Sequence, residues 1–414
     1  MAGTDDYVPR LVDRRLSALF AQLPALLVTG PRAAGKTTTA RRRAATVVRL
    51  DREAEAAAFR ADPDAALRAQ REPLLLDEWQ AVPAVLGAVK RAVDDDPRPG
   101  RFLLTGSVRA DLEAETWPGT GRLVRVRLYG LTVGELVGRS SGPLFLDRLA
   151  EPRLDLFDLP SEVPDLRGYV DLSLRGGFPE PALRLHGVAR QAWLDGYLDQ
   201  LLTRDAQTLV GLRDPARLRR YFEALALNSA GLAEHQTLYT AAGINRMTAL
   251  EYDRLLTNLF VVDALPAWTS NRLSRLVKTA KRYLVDPALL STALRLDAAA
   301  VLRDGDLLGR VLDTFVLAQL RPELEVSALR PRLYHLREKD GRREVDVVGE
   351  VGAGVVAVEI KATAAPGTDD AAHLRYLRDQ LGERFLGGAV LHTGPGAFVL
   401  SDRILALPIC ALWG

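Results

Sequence analysis

Residues 30–37 constrain the fold of this chain more than any other stretch. They read Gly-Pro-Arg-Ala-Ala-Gly-Lys-Thr and match the pattern G-x-x-x-x-G-K-[ST] at every fixed position. The apolar run 25–29 before them predicts a buried strand, and a helix is expected to follow through Arg43. A glycine-rich loop between a strand and a helix points successive backbone N–H groups at one place, where they bind phosphate oxygens. The stretch therefore predicts a nucleoside-triphosphate site.

The side chains of this loop have distinct expected roles. Lys36 is predicted to contact the β- and γ-phosphates, and Thr37 to supply a hydroxyl to Mg²⁺. Thr38 is placed to reach a more distal phosphate oxygen. The alternative is a glycine-rich turn that binds no ligand. The residues predicted to bind ATP and its Mg²⁺ are Gly30, Pro31, Arg32, Ala33, Ala34, Gly35, Lys36, Thr37, Thr38 and Asp77.

Two further apolar runs, 73–77 and 101–106, are predicted strands that end in polar residues. The carboxyl ends of parallel strands are where α/β sheets place their ligands. Asp77, at the end of what the pattern makes the second strand, is expected to hold Mg²⁺, and Glu78 to orient the attacking water. After the third strand, Ser107 is the first candidate and Thr105 the second for a contact with the γ-phosphate. A simple turn after a buried strand is the alternative.

Alternation of strands and helices predicts a βαβ-built α/β domain over about the first 165 residues. A stretch rich in loop signals, 143–164, is expected to end it. Arginine side chains often stabilise charge during phosphoryl transfer. Arg122 and Arg204 are candidates for that role, although an arginine-rich chain also carries many solvated ones.

The middle of the chain is predicted to be helical, with helix-turn-helix spacing. Helices are expected at 216–229, 233–241 and 246–260, the third capped by Asn245. Apolar runs at 260–265 and 283–285 are candidate wing strands. The basic residues predicted between or beside them are Arg272, Arg275, Lys278, Lys281 and Arg282. These side chains could neutralise DNA phosphates, whereas the alternative is a helical lid on the ATPase core with an exposed basic face.

Charged residues recur on otherwise apolar strands near the C-terminus. Strands are predicted at 332–337, 344–348 and 354–361, with a turn between the last two. Because side chains alternate along a strand, hairpin pairing places Asp346, Glu359 and Lys361 on one face. Carboxylates that hold Mg²⁺ beside a lysine suit phosphodiester hydrolysis, and Asp313 on the preceding helix completes the predicted metal set. A solvated strand face with an ion pair is the alternative.

Composition excludes several classes of protein. The single cysteine, Cys410, excludes an internal disulfide, and the histidines lack metal-ligand spacing. The charged N-terminus lacks the apolar core of a signal peptide, and no apolar run reaches the roughly 18 residues of a membrane span. A cytoplasmic location without membrane contact is expected. The formal net charge of +2 leaves the question of a nucleic-acid partner open.

Together, the P-loop, Asp77-Glu78, Thr105-Gly106-Ser107 and the set Asp346 with Glu359-x-Lys361 give the chain a family likeness. It resembles prokaryotic AAA-type P-loop ATPases that carry a poorly characterised C-terminal domain of restriction-endonuclease-like fold. Supporting stretches are Gly121-Arg122, 128–135, 176–180, Arg204-Asp205 and 281–286.

The resemblance implies an α/β fold class with three parts: an AAA-type P-loop NTPase domain, a helical winged-helix-like middle and a C-terminal nuclease-like α/β domain. Asp346, Glu359 and Lys361 match the PD-(D/E)xK signature of that last domain, with Lys361 as its catalytic lysine. Asp313 stands where the family commonly has glutamate, so its reach is one methylene shorter.

The expected domains are an ATPase core at 1–165, its helical extension at 166–213, a winged-helix-like domain at 214–290 and a nuclease-like domain at 291–414. The expected function is Mg²⁺-dependent ATP hydrolysis coupled to a DNA-binding and nuclease-like half, in DNA metabolism or defence. The alternative is a regulatory NTPase switch whose inactive nuclease fold docks DNA or a protein partner. Self-assembly into an oligomer is left open.

Overall fold

A computed structural model describes residues 7–107, 121–207, 214–270, 278–338 and 342–414. The chain forms two compact units. The first comprises Met1–Leu131 with Leu256–Val261, and the second comprises Thr132–Leu255 with Val262–Gly414. The boundaries of the four domains expected from the sequence stay predictions.

The first unit is built on a five-stranded parallel sheet of order β2-β3-β4-β1-β5. Its strands are β1 (Ala25–Thr29), β2 (Thr46–Arg49), β3 (Leu74–Asp77), β4 (Phe102–Gly106) and β5 (Val124–Arg127). The three predicted strands are the buried β1, β3 and β4. β2 and β5 were missed, so Asp77 ends the third strand and not the second. Both missed strands lie at the sheet edges and are only partly buried. They therefore lack the continuous apolar run that identifies a central strand in a sequence.

Helices cover this sheet and close its core. They are α1 (Asp13–Phe20), α2 (Lys36–Arg41), α3 (Glu53–Ala61), α4 (Pro63–Arg68) and α5 (Val85–Asp95), with a 3₁₀ turn at Trp79–Ala81. Phe59, Trp79 and Val89 pack against the strands in one buried cluster. α2 ends at Arg41 and not at Arg43, because the backbone tightens there and Arg43 N–H bonds to Ala40 O. This core fixes the carboxyl ends of β1, β3 and β4 side by side.

The second unit begins with a run of helices. They are α6 (Val133–Leu136), α7 (Phe145–Leu149), α8 (Leu166–Arg175), α9 (Pro179–Leu183) and α10 (Gly187–Gln200), followed by a π-helical turn at Leu201–Asp205. The prediction of a loop over 143–164 is therefore wrong at α7. Phe145 and Leu149 are fully buried, and Glu323 accepts hydrogen bonds from the backbone N–H groups of Phe145 and Leu146. That distant carboxylate satisfies the helix start, and local sequence could not reveal it.

Three helices and a strand pair follow, close to the predicted positions. They are α11 (Pro215–Leu227), α12 (His235–Ala241), α13 (Arg246–Asn258), β6 (Val262–Leu265) and β7 (Lys281–Leu284). The predicted cap is confirmed, since Asn245 Oδ1 accepts a hydrogen bond of 2.9 Å from the N–H of Thr248. β6 and β7 pair antiparallel, with Leu265 opposite Lys281. The winged-helix domain type stays a prediction.

The C-terminal part of the second unit is a mixed six-stranded sheet of order β12-β13-β11-β10-β9-β8. Its strands are β8 (Arg332–Arg337), β9 (Glu344–Val351), β10 (Gly354–Ile360), β11 (Phe385–His392), β12 (Phe398–Ser401) and β13 (Ile404–Pro408). The predicted strands β8, β9 and β10 are confirmed, although β9 continues to Val351. β9 and β10 form the expected antiparallel hairpin, with Val347 opposite Val358. Helices α14 (Pro287–Leu294), α15 (Ala298–Arg303), α16 (Gly305–Val326) and α17 (Ala372–Leu381) complete this unit.

The segment between β6 and β7 is bonded to β8 at His335. The N–H of Trp268 donates to His335 O at 2.6 Å, and His335 N–H donates to Pro266 O at 2.9 Å. The ring nitrogen Nε2 lies 3.1 Å from Thr279 O and donates to it as the neutral tautomer. His335 is only 2% exposed, and burial lowers its pKa to about 4. The ring therefore stays uncharged in the folded protein.

We expect this histidine to make the second unit sensitive to acid. Its folded pKa lies below its ordinary value of 6.5, so the unfolded chain binds the proton first as the pH falls. The contribution of His335 to the free energy of unfolding is fully present above pH 6.5. It is lost as the pH falls from 6.5 to 4, and the loss is about 2 kcal/mol at pH 5. Denaturant unfolding of His335→Gln at pH 7.5 and 5 should show a smaller pH effect than wild type. The matched control, His186→Gln at an exposed position, should keep the wild-type effect; equal pH effects in all three proteins would contradict this account.

Among the described helices, none has the length and apolar character that crossing a lipid bilayer requires.

Candidate functional site

The loop after β1 has the backbone geometry that the motif predicts. Gly30 passes so close to the chain after β5 that a Cβ atom would lie 2.0 Å from Leu128 O. Gly35 has φ +92° and immediately precedes α2, and Ala33 also lies in the left-handed region at φ +61°. Glycine fits both positions at low cost, Gly30 because it has no Cβ atom and Gly35 because its φ lies in the left-handed region. The loop therefore curls tightly into the first turn of α2, as phosphate binding requires.

Lys36 lies over this loop. Its side chain is 5% exposed, and its ammonium Nζ donates to Pro31 O at 2.8 Å. Burial lowers the pKa of Lys36 to about 8, although the charges of Glu78 and Asp77 oppose that shift. An ammonium that is desolvated and faces two carboxylates gains from an incoming polyphosphate. The structure thus places Lys36 where the motif predicts a phosphate contact.

Asp77 connects the loop to the neighbouring strands. Thr37 Oγ1 donates to Asp77 Oδ1 at 2.7 Å, and the hydroxyl of Thr105 donates to the same oxygen. The other carboxylate oxygen, Oδ2, is buried and has no hydrogen-bond donor among the described residues. It lies 3.7 Å from Arg49 Nε, which comes from the end of β2.

These residues fit Mg²⁺. The threonine hydroxyl and the carboxylate are hard oxygen ligands, and the buried oxygen Oδ2 lacks a hydrogen bond that a metal-bound water could supply. Thr37 and Asp77 would hold the ion between the P-loop and the end of β3. Their assignment as metal ligands stays a prediction.

Glu78 adopts a backbone conformation that is unusual for its residue type. Its φ is +56°, in the left-handed region, and its N–H lies 3.4 Å from the hydroxyl of Thr105. The carboxylate accepts a hydrogen bond from the amide of Gln80, and Ser107 Oγ lies 3.5 Å from Oε2. Strained residues held by their neighbours cluster at functional sites. The turn places the Glu78 carboxylate beside Gln80 and Ser107, just after the carboxyl end of β3.

Sequence reasoning missed two residues of this site, Gln80 and Arg49. Gln80 bonds Glu78 and also donates to Ser107 Oγ at 3.4 Å, so it links the ends of β3 and β4. Arg49 was missed because β2 itself was missed. The two candidates for the γ-phosphate differ in place: Thr105 is fully buried against Asp77, and Ser107 lies beside Glu78. Which of them contacts the phosphate stays a prediction.

Thr105 is expected to act by positioning Asp77. Thr105→Val keeps the volume and removes the hydroxyl, so Asp77 loses a donor and ATP turnover should fall roughly tenfold, as for other residues that orient metal ligands. The Mg²⁺ concentration for half-maximal turnover should rise, which a purely structural role would not cause. Thr46→Val on β2 is the control and should leave both values unchanged. A folded Thr105→Val protein with wild-type turnover and Mg²⁺ dependence would contradict this role.

The arginine candidates lie in different units. Arg122 Nε donates to Asp94 Oδ1 at 2.7 Å, and its side chain is 46% exposed. Arg204 lies in the π-helical turn Leu201–Asp205. Their role as charge stabilisers stays a prediction.

The second unit holds the predicted C-terminal constellation. We define the acidic cluster as Asp313, Glu344, Asp346 and Glu359. The backbone N–H of Ile360 donates to Asp346 Oδ2 at 3.0 Å, which joins β9 and β10 at this point. Lys361 Nζ donates to Glu359 Oε1 at 2.9 Å. The hairpin thus brings together the residues that strand alternation predicted.

Burial and mutual repulsion dominate the electrostatics of this cluster. Burial, followed by the charge of Asp346, raises the pKa of Glu359 to about 8. The same two causes raise the pKa of Asp313 well above its ordinary value. Burial lowers the pKa of Lys361, but the nearby acidic groups, first Glu359 and then Asp346 and Asp370, together outweigh it, and the net shift is upward. Anything that reduces the negative charge of the cluster, a bound proton or a nearby cation, is therefore favourable.

Lys281 supplies such a cation, which the sequence did not predict. Its Nζ lies 2.9 Å from Glu344 Oε1 and 3.3 Å from Asp346 Oδ1, and the residue is 2% exposed. Burial alone would lower the pKa of Lys281, but the neighbouring carboxylates, above all Asp346, raise it by more. The net shift is upward, so the lysine is charged. The expectation that Lys281 forms part of an exposed basic wing is therefore wrong. The carboxylates offset the cost of burying this ammonium, and removal of either partner would leave an uncompensated buried charge.

Of the other predicted wing residues, two are described. Lys278 is exposed, and Arg282 pairs with Asp253 at 3.4 Å. Arg272 and Arg275 lie outside the described residues.

A divalent metal ion does not fit the acidic cluster as these side chains are placed. Within the described ranges, no group of three or more His, Cys, Asp or Glu side chains is arranged to hold a metal ion. Each oxygen of Asp346 already has a donor, one from Lys281 and one from the backbone. Glu359 uses one oxygen for Lys361. The metal role of Asp313, Asp346 and Glu359 stays a prediction.

Comparisons with known families divide the chain into three matches. Residues 22–137 match the family described as an AAA domain. Residues 166–300 and 308–412 each match a family described as a domain of unknown function. The chain therefore contains an AAA domain of ATPase-like character, which agrees with the P-loop, the parallel sheet and the predicted family in its N-terminal part.

Two curated relatives span nearly the whole chain. An uncharacterized protein of Mycobacterium bovis and one of Mycobacterium tuberculosis are each 32% identical to it over 400 residues, which cover 95% of this chain and 82% of each relative. Among solved structures, a Walker-type ATPase of Pyrococcus abyssi is similar at 14% identity and a TM-score of 0.41, over 71% of this chain and 97% of the other.

Proposed function

The chain belongs to the same family as these two mycobacterial proteins, and we propose that it binds and hydrolyses ATP with Mg²⁺ and couples this to a DNA-binding, nuclease-like half. The observation that carries the ATPase proposal is the set of contacts at the end of β3. There Thr37 and Thr105 both donate to one oxygen of Asp77, and the other oxygen has no hydrogen-bond donor among the described residues.

Each residue of this site has its own role in the proposed ATP binding and hydrolysis. Lys36 exchanges its bond with Pro31 O for the β- and γ-phosphates, which stabilise a charged ammonium better than a carbonyl does. Thr37 and Asp77 would hold Mg²⁺, which when bound neutralises charge on the phosphate oxygens. Glu78 orients the attacking water, and the Gln80 amide holds the Glu78 carboxylate in place. Ser107 or Thr105 completes the set from β4.

The DNA-binding part of the proposal rests on the second unit. Its three helices and paired strands have helix-turn-helix spacing, and Lys278 offers an exposed ammonium. The nuclease-like part rests on the geometry of Asp346, Glu359 and Lys361. DNA metabolism or defence is the proposed setting, with a protein partner or self-assembly as further components.

A second candidate function is a regulatory NTPase switch whose nuclease fold is inactive and docks DNA or a protein. The ammonium of Lys281 among the carboxylates favours it, because a filled site cannot hold a metal ion at the same time.

The two candidates are separated by one comparison. Wild type and the double variant Asp346→Ala, Glu359→Ala are incubated with linear, supercoiled and single-stranded DNA, with Mg²⁺ or Mn²⁺, with and without ATP. Cleavage by wild type alone supports the first candidate and locates its site. ATP turnover without cleavage of any substrate supports the switch. Absence of ATP turnover under every condition contradicts both.

A further inference from the structure

We propose that the acidic cluster takes the ammonium of Lys281 in place of a divalent metal ion, so that a metal ion binds there only after Lys281 leaves. The inference extends the proposed function by naming the group that controls its C-terminal site. It rests on the acidic cluster alone, not on ATP hydrolysis or DNA cleavage.

The position of the ammonium is the first argument. Lys281 Nζ contacts carboxylates of both Glu344 and Asp346, at 2.9 and 3.3 Å. A divalent ion held by Asp346 would lie close to the ammonium, because Lys281 contacts one carboxylate oxygen and the backbone N–H of Ile360 bonds the other. Two cations that close repel each other strongly in a buried site. The lysine and a metal ion therefore compete for Asp346.

One carboxylate oxygen of Glu359 also lacks a partner within the described residues. Glu359 is 4% exposed, and its Oε2 has no hydrogen-bond donor within the described residues. A buried carboxylate oxygen without a donor is costly. Its neighbour Oε1 is bonded to Lys361. Neither Lys281 nor Lys361 satisfies Oε2, so a proton or a further cation can bind it.

Lys281 does not belong to the sheet that carries the acidic cluster. Lys281 is the first residue of β7 and pairs with Leu265 of β6, outside the six-stranded sheet that carries Asp346 and Glu359. The preceding segment is bonded to that sheet through His335 and Thr279. A change in the pairing of β6 and β7 would therefore change the charge within the cluster.

A purely structural ion pair is the competing explanation, and metal binding distinguishes the two. We would measure Mn²⁺ binding to the full-length protein without nucleotide, by the electron paramagnetic resonance signal of free Mn²⁺. Wild type and Asp346→Asn should bind equally, because Lys281 keeps metal out of the cluster. Lys281→Met should gain one Mn²⁺ site at least about tenfold tighter than any in wild type, because the carboxylates are then uncompensated.

Two further variants locate the new site. The double variant Lys281→Met, Asp346→Asn should lose it, and Lys278→Met, which removes an exposed lysine three positions away, should behave as wild type. Mn²⁺ should also raise the melting temperature of Lys281→Met and not that of wild type, since a ligand that binds only the folded state stabilises it.

Two results would overturn the inference. One is Mn²⁺ binding by wild type that Asp346→Asn abolishes, because metal would then bind with the lysine in place. The other is a folded Lys281→Met protein without an added Mn²⁺ site. If Lys281→Met fails to fold, Lys281→Gln, which removes the charge but keeps a polar side chain, replaces it with the same two expected outcomes. Neither result depends on ATP turnover, so failure here leaves the proposed ATPase function to its own tests.

Discussion

Lys36→Ala is expected to weaken ATP binding at least ~100-fold and to abolish turnover, because charged hydrogen bonds to phosphate contribute about 1.5–3 kcal/mol each. The ammonium that now bonds Pro31 O is the buried positive charge of the loop. Its loss removes that charge and leaves the polyphosphate mainly with uncharged donors, the backbone N–H groups and the hydroxyls. Equilibrium binding of a fluorescent ATP analogue, together with phosphate release, measures both effects.

The control for this variant is Lys90→Ala. Lys90 is a partly exposed lysine of the same unit, on α5, and among the described residues it pairs only with Asp94, one helical turn away. It should keep wild-type binding and turnover, since surface ion pairs contribute little. If Lys36→Ala binds ATP as wild type does while the protein is folded, residues 30–37 are not the nucleotide site.

Glu78→Gln is expected to separate binding from hydrolysis. The substitution keeps the shape of the side chain but removes the charge that orients water, so turnover should fall by about 100-fold or more. ATP affinity should change less than about threefold, because Glu78 is not expected to contact the nucleotide before water attacks. Binding and phosphate release are measured on the same preparation.

A matched carboxylate serves as the control here. Glu53→Gln alters an exposed residue of α3 that pairs with Arg60, so its turnover should equal that of wild type. A Glu78→Gln protein that hydrolyses ATP at the wild-type rate would remove Glu78 from the mechanism. A parallel loss of binding and turnover would instead give it a structural role.

The nucleotide site was largely predictable because its signals are local. Residues 30–37 have fixed spacing, and Asp77 and Glu78 directly follow a buried apolar run. The edge strands β2 and β5 carry no such signal. Because β2 was not predicted, Arg49 at its end was not recognised as part of the site. The contact between Thr105 and Asp77 depends on strand order, because β4 lies between β1 and β3. A single sequence does not encode that order locally.

The acidic cluster near the C-terminus was predictable only in part. Strand alternation was enough to place Asp346 and Glu359 together, since the hairpin that joins them is short. Lys281 lies far earlier in the chain, and its sequence neighbours made it look like one of several basic surface residues. Only tertiary structure brings it to Glu344 and Asp346. Charge that is gathered from distant segments cannot be recognised from periodicity.

The central claim, ATP hydrolysis at the P-loop, is tested most directly by the nucleotide that the protein retains. Wild type, Glu78→Gln and Lys36→Ala are each incubated with ATP and Mg²⁺, separated from free nucleotide and extracted. Wild type should yield ADP, Glu78→Gln should yield ATP, and Lys36→Ala should yield neither. The same nucleotide in the same amount from all three proteins would contradict the assignment of this site.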